Sequence, residues 1–156
     1  MKNKGFSLVE LIIVIAIMAI LAAAIAPALI RYIDKSRRAD DVAAAETINT
    51  GAQAALANED IYDEVQAKFP TAANTSVALV SAKADGTGTF ANGTNYPKFC
   101  AELNSSAGGK APKVKYKKNG AVSWKVGFNS AGKPVVWIQT SSTDVELQPD
   151  IDSSYK

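Results

Sequence analysis

The chain has 156 residues, a formal net charge of +2 and no histidine. The missing histidine removes the commonest general base and the commonest zinc ligand. A single cysteine, Cys100, permits no internal disulfide, and the length accommodates one domain beyond any membrane segment.

Glu10 stands at the edge of an apolar run, Leu11–Ile30, that carries no other charge. A charge placed there costs roughly 2.5–3.5 kcal/mol on insertion scales, so it needs a partner. No basic residue lies between Lys4 and Arg31. An α-amine, created by a cut between Gly5 and Phe6, would supply one. The run is long enough to cross a bilayer, since about 20 residues at 1.5 Å each cover about 30 Å. A secretory signal peptide would have a shorter apolar region followed by a small-residue cleavage site. Ala22–Ala24 imitates such a site, but the run continues to Ile30 and Glu10 sits badly within it.

Lys4-Gly-Phe-Ser-Leu-Val-Glu10 followed by an apolar run resembles the class III leader of type IV pilins and the pseudopilins related to them. The resemblance covers roughly the first 50 residues. It implies cleavage after Gly5 by a prepilin peptidase, N-methylation of Phe6, and an assembly role for Glu10 and Pro27. It further implies a single-pass protein of the inner or cytoplasmic membrane that becomes an extracellular filament. The partners it implies are other copies of the chain through their N-terminal helices, an assembly platform and a cytoplasmic ATPase. On this reading the chain is the major structural subunit of a type IV pilus and not an enzyme. The alternatives are a major pseudopilin of a type II secretion system, or a membrane-anchored binding module that never polymerises. The expected organisation is a leader over 1–5, a transmembrane and filament-core half-helix over 6–30, an amphipathic half-helix over 31–57, and a globular head over 58–156. Cutting after Gly5 removes Lys2 and Lys4, leaving 15 basic and 15 acidic side chains. Near-neutral charge weakens any reading as a general nucleic-acid binder, and no specific nucleic acid is assigned.

Two details depart from the simplest version. Many relatives carry a glycine about eight residues before the proline, where this chain has Ala19. Pro27 therefore reads either as a membrane-helix kink or as a site of limited melting on assembly. Basic residues flanking the apolar run are Lys2 and Lys4 before it and Arg31, Lys35, Arg37 and Arg38 after it. Counted alone, they favour a cytoplasmic C-terminus. The opposite orientation, with the head outside, is what the resemblance implies.

Beyond Ile30 the pattern becomes amphipathic. Val42, Ala45, Ile48, Ala52 and Leu56 recur at three- and four-residue spacing and mark one helical face. Asp34 is placed to meet Arg37 or Arg38. The whole is expected to be one helix of about 50 residues, roughly 75 Å long. Asn58 then reads as the N-cap of a short helix with Ile61, Val65 and Phe69 on one face, stopped by Pro70. Residues 71–109 read as a long connection, with a short strand at Val77–Val80 and a helical turn at Pro97–Leu103. Val114 and Tyr116 alternate with lysines, and Lys118-Asn119-Gly120 predicts a tight hairpin turn. Val122, Trp124, Val126 and Phe128 alternate again. A turn at Asn129–Lys133 leads into a strand over Pro134–Thr140, with Val135 and Trp137 on one face. The expected fold is α+β: a long N-terminal helix packed against a small antiparallel meander of three or four strands.

Lys113, Lys115 and Lys117 would share one face of the first strand, with Lys110, Lys118 and Lys125 nearby. That makes either a patch for acidic surfaces, polysaccharide, DNA or a neighbouring subunit, or a solvated face that discourages edge pairing. Asp144, Glu146, Asp150 and Asp152 read as an acidic tail. Calcium, which some pseudopilins bind in a late loop, needs six to eight oxygens, and this spacing matches no such motif; no other cofactor or metal is expected. Asn74, Asn92 and Asn104 open glycosylation sequons in a loop where such triplets arise easily. Cys100 reads as a small buried hydrophobe, and the scattered aromatics as packing residues.

Overall fold

The computed structural model describes residues 5–156. The leader lysines Lys2 and Lys4 lie outside them. The first helix, α1, runs over Leu8–Leu56 and continues through Pro27 without interruption. Proline removes one N–H from the helical ladder, and a single missing bond does not end α1. The chain divides into two compact units, one ending at Ser36 and the other spanning Arg37–Lys156. In the first unit every side chain from Leu8 to Ile33 is exposed.

The second unit holds the core. The part of α1 within it buries Asp41, Ala45, Ile48, Asn49, Gly51, Ala52 and Ala55. The expected stripe is present, with Val42 and Leu56 packed half-buried at its margins. Small side chains bring other elements close. A Cβ at Gly51 would stand 2.7 Å from the Cβ of Ser106.

Helix α2 covers Glu59–Val65, and the Asn58 side chain caps it by accepting the Asp60 N–H. A 3-10 turn over Gln66–Lys68 follows. Phe69 then packs at a tilt against Phe128, with ring centres 5.0 Å apart, and meets Tyr62 edge-on at 5.8 Å. Helix α3 spans Pro97–Ser106, with proline in its first turn, where its missing N–H is harmless. Its cap residue, Tyr96, has φ of 54° and provides no side-chain cap. Glu64 from α2 takes that role, accepting N–H bonds from Lys98 at 3.3 Å and Phe99 at 2.9 Å.

The sheet contains β1 (Ser76–Lys83), β2 (Ser123–Asn129), β3 (Pro134–Gln139) and β4 (Asp144–Gln148), ordered β1-β2-β3-β4. All neighbours are antiparallel. The fold is therefore α+β, with a long N-terminal helix and a small four-stranded antiparallel sheet. Gly127 allows the closest approach of β1 to β2, because a Cβ there would collide with the Val77 carbonyl. The β1–β2 register shifts at that place, between Ala78 and Val80. The outer edge of β1 is met by Ala91, which exchanges two backbone hydrogen bonds with Ser81 at 3.0 and 3.1 Å.

The structure corrects three expectations. The segment around Val114–Tyr116 is not a strand, and Lys118-Asn119-Gly120 does not join two strands of the sheet. The partner of β2 is β1, which is longer than the expected Val77–Val80. The supposed acidic tail contributes β4. The first difference has a clear cause. The N–H groups of Lys115 and Tyr116 donate to the two carboxylate oxygens of Asp41, at 2.7 and 2.9 Å. The N–H of Val114 donates to the Ala84 carbonyl at 2.9 Å. With its donors so occupied, the segment stays extended and Val114 is buried, but no ladder forms.

Asp41 is 1% exposed. Burial pushes its carboxyl up from the usual range, and the two backbone hydrogen bonds oppose that shift without cancelling it. Asp41→Ala would leave two N–H donors unsatisfied, at about 1–3 kcal/mol each. Urea unfolding followed by tryptophan fluorescence should show a loss of this size. A folded-state pKa above the unfolded one gives stability that is full below the unfolded value and is lost as pH rises through the folded one. The stability advantage of wild type over Asp41→Asn should therefore grow as pH falls through the raised folded-state value toward the ordinary carboxylate range. A constant difference would contradict the assignment.

Candidate processing and assembly site

The start of α1 is built by Ser7 and Glu10. The Ser7 hydroxyl accepts the Val9 N–H at 3.3 Å, and the Glu10 carboxylate accepts the Ser7 N–H at 2.9 Å. Together these bonds make a close variant of the capping box, with the serine accepting from Val9 rather than from Glu10, and they satisfy donors that a helix start otherwise leaves open. The negative carboxylate also lies at the positive end of the helix dipole. The sequence signal for this cap is serine followed three residues later by glutamate, a spacing that is passed over when Glu10 is read only for its charge.

Immediately upstream, Gly5 and Phe6 lie outside any regular element. Phe6 is 90% exposed, and a Cβ at Gly5 would meet nothing within 4 Å. The Gly5–Phe6 bond thus lies in an exposed, irregular stretch. Downstream, α1 is apolar enough to cross a membrane, with a mean hydropathy of 3.0 over its most apolar stretch. Pro27 lies within this helical segment.

The other candidate residues do not converge on one site. Lys113, Lys115 and Lys117 are exposed, but they do not share a strand face. The Lys115 ammonium pairs with Asp40 at 3.0 Å, and Lys125 pairs with Asp144 at 2.8 Å. Asp152 caps the final 3-10 turn, over Ser153–Tyr155, by accepting the Ser154 N–H at 2.8 Å. Burial pushes Glu146 up from the usual carboxylate range. Among the described residues, no group of three or more His, Cys, Asp or Glu side chains is placed to hold a metal ion. Cys100 is buried as a free thiol, and burial pushes its pKa up, away from the reactive thiolate. Asn92 and Asn104 use their side-chain amides to donate to the carbonyls of Leu79 and Phe90. Asn74 sits in an exposed turn with φ of 57°.

A family model described as the prokaryotic N-terminal methylation motif matches residues 1–26. This matched stretch is the class III prepilin leader motif found in type IV pilins and pseudopilins. No curated protein and no solved structure shows a significant match to it. The matched residues include Gly5, Phe6, Ser7 and Glu10, so the prepilin motif and the helix cap occupy the same short stretch.

Ser7→Ala should loosen this helix start by about 1 kcal/mol. The expected sign is a loss of helical chemical shifts over residues 8–11 in detergent micelles, with Ser7→Thr retaining them. Unchanged shifts in Ser7→Ala would remove the serine from the cap.

Proposed function

We propose that the chain is the major structural subunit of a type IV pilus, made as a prepilin and polymerised after cleavage between Gly5 and Phe6. The observation that carries this reading is the position of Glu10. It is the sole acid at the N-terminal end of an exposed apolar helix, just beyond the exposed, irregular stretch that holds the Gly5–Phe6 bond.

The proposed mechanism follows from charge. In the waiting subunit the capping bond to Ser7 holds the carboxylate of Glu10. Prepilin peptidase cleavage converts the Phe6 nitrogen into an α-amine, which is then methylated and keeps its charge. When a subunit enters the filament, its Glu10 pairs with the Phe6 amine of a subunit already there. Each charge alone is costly in an apolar core, and removing one partner of a buried pair is strongly destabilising. The pair therefore selects one axial register. The apolar half-helices form the filament core and the heads its surface, in a heterologous contact that repeats without closing. An assembly platform and a cytoplasmic ATPase drive extraction from the membrane. The chain's role is structural, and no enzymatic step is assigned to it.

Intact-mass measurement of filaments sheared from the cell surface tests this proposal. The expected chain starts at N-methyl-Phe6, whereas a surface form retaining Met1–Gly5 would overturn it. The same processed chain confined to the cell envelope of a secretion-competent strain, with no surface filament, would assign it to a secretion pseudopilus. Glu10→Ala should still be processed, while filament yield falls by about tenfold or more, in line with the cost of an unpaired buried charge. Normal yield would refute the pairing.

A further inference from the structure

The far end of the apolar segment carries charges that filament assembly does not account for. Leu11–Ile30 has no charged residue, and Arg31, Tyr32 and Lys35 follow directly. Arg31 and Lys35 are four residues apart on α1, and Tyr32 and Lys35 three apart, so Lys35 is a surface neighbour of both. All three are exposed, Tyr32 at 78%. Neither Arg31 nor Lys35 has a hydrogen-bond or ion-pair partner among the described residues. Asp34, the one acid between them, is already engaged.

The contrast with Arg38 is informative. Its guanidinium lies 4.8 Å from the centre of the Tyr116 ring and donates to the Lys156 carbonyl at 3.3 Å. That cation serves the head. Arg31 and Lys35 have no such partner among the described residues, although they lie on the flank where the count of basic residues runs against the orientation expected of a prepilin. A counter-charge outside the protein would remove this conflict, because it gives these cations a reason to be there that is independent of topology.

We propose that Arg31, Tyr32 and Lys35 bind the phosphate headgroup of an anionic phospholipid and fix the depth of the subunit before assembly. The proposal rests on the membrane-anchored reading of α1. Twenty uncharged residues at 1.5 Å each put Arg31 at the phosphate level of a bilayer of ordinary thickness. A guanidinium offers phosphate a planar fork of donors, and an ammonium adds a point charge. Tyrosine places its ring in the headgroup region with its hydroxyl toward water. Glu10 lies at the opposite end of the segment, too far away to repel the lipid. Basic residues close to an anionic membrane surface favour binding additively. Two of them correspond to a preference of about thirtyfold for anionic over zwitterionic lipid.

Native mass spectrometry of the full chain in detergent, with added phosphatidylglycerol or phosphatidylcholine, tests the site. The expected result is retention of phosphatidylglycerol about thirtyfold above phosphatidylcholine. The preference should vanish in the double variant Arg31→Gln, Lys35→Gln. It should persist in Lys113→Gln, Lys117→Gln, which removes the same charge from the head. Equal retention of the two lipids by wild type would overturn the proposal, as would equal losses in the two double variants. Reconstitution into bilayer discs separates the underlying reading: a chain that fails to enter discs is not membrane-anchored, whereas one that enters without lipid preference refutes the headgroup site alone.

Discussion

Backbone N–H groups left open by helices and strands must find acceptors, and in this protein carboxylates supply many of them. Glu10 takes the Ser7 N–H at the start of α1. Asp41 takes two from the extended segment at Lys115 and Tyr116. Glu64 takes two at the start of α3. Each acid settles a place where regular hydrogen bonding stops. The Asp41 contact has the widest reach, because it joins the helix that starts the head to a segment more than seventy residues later. Removing it would free the segment that carries the buried Val114 and, just before it, Pro112, whose carbonyl accepts from the Trp124 indole.

Glu10 differs from the other two because its arrangement is temporary on the reading proposed here. A capping bond to Ser7 stabilises a carboxylate at a helix terminus without fixing it as deeply as two buried backbone donors fix Asp41. A side chain held in this way is kept in place and remains exchangeable. Processing at Gly5 then creates a stronger partner, a charged amine. The same glutamate can thus help to start the helix in one state and set subunit register in the next.

The parts of this design that were legible in the sequence are those governed by neighbours along the chain. The length of α1, the stripe through Ala45, Ile48 and Ala52, the Asn58 cap and the β2–β3 hairpin all depend on local spacing. The strand expected at Val114–Tyr116 shows the opposite case. Its alternation correctly separates a buried valine from exposed lysines, but alternation does not reveal where backbone donors will bond. That was decided by Asp41, which looks like one more surface acid on an amphipathic helix. The true partner of β2, β1, lies across a connection that contains α3, and nothing near Ser76 announces it. At the start of α1, Gly5, Phe6 and Glu10 stood out through the resemblance to a prepilin leader, while the spacing of Ser7 and Glu10 carried the signal of the helix cap.

The pairing of Ala91 with Ser81 has a consequence for crowding. An open strand edge offers unpaired donors and acceptors to any other strand that meets it. A protein held at high local density by its N-terminal segments would bring such edges together often. The two hydrogen bonds between Ala91 and Ser81 occupy part of the β1 edge with the chain's own backbone, and the nearby register shift disturbs the regular spacing that another strand would need. The loop after β1 thereby works as a guard against sheet-to-sheet fusion, keeping association confined to contacts whose geometry is specified elsewhere.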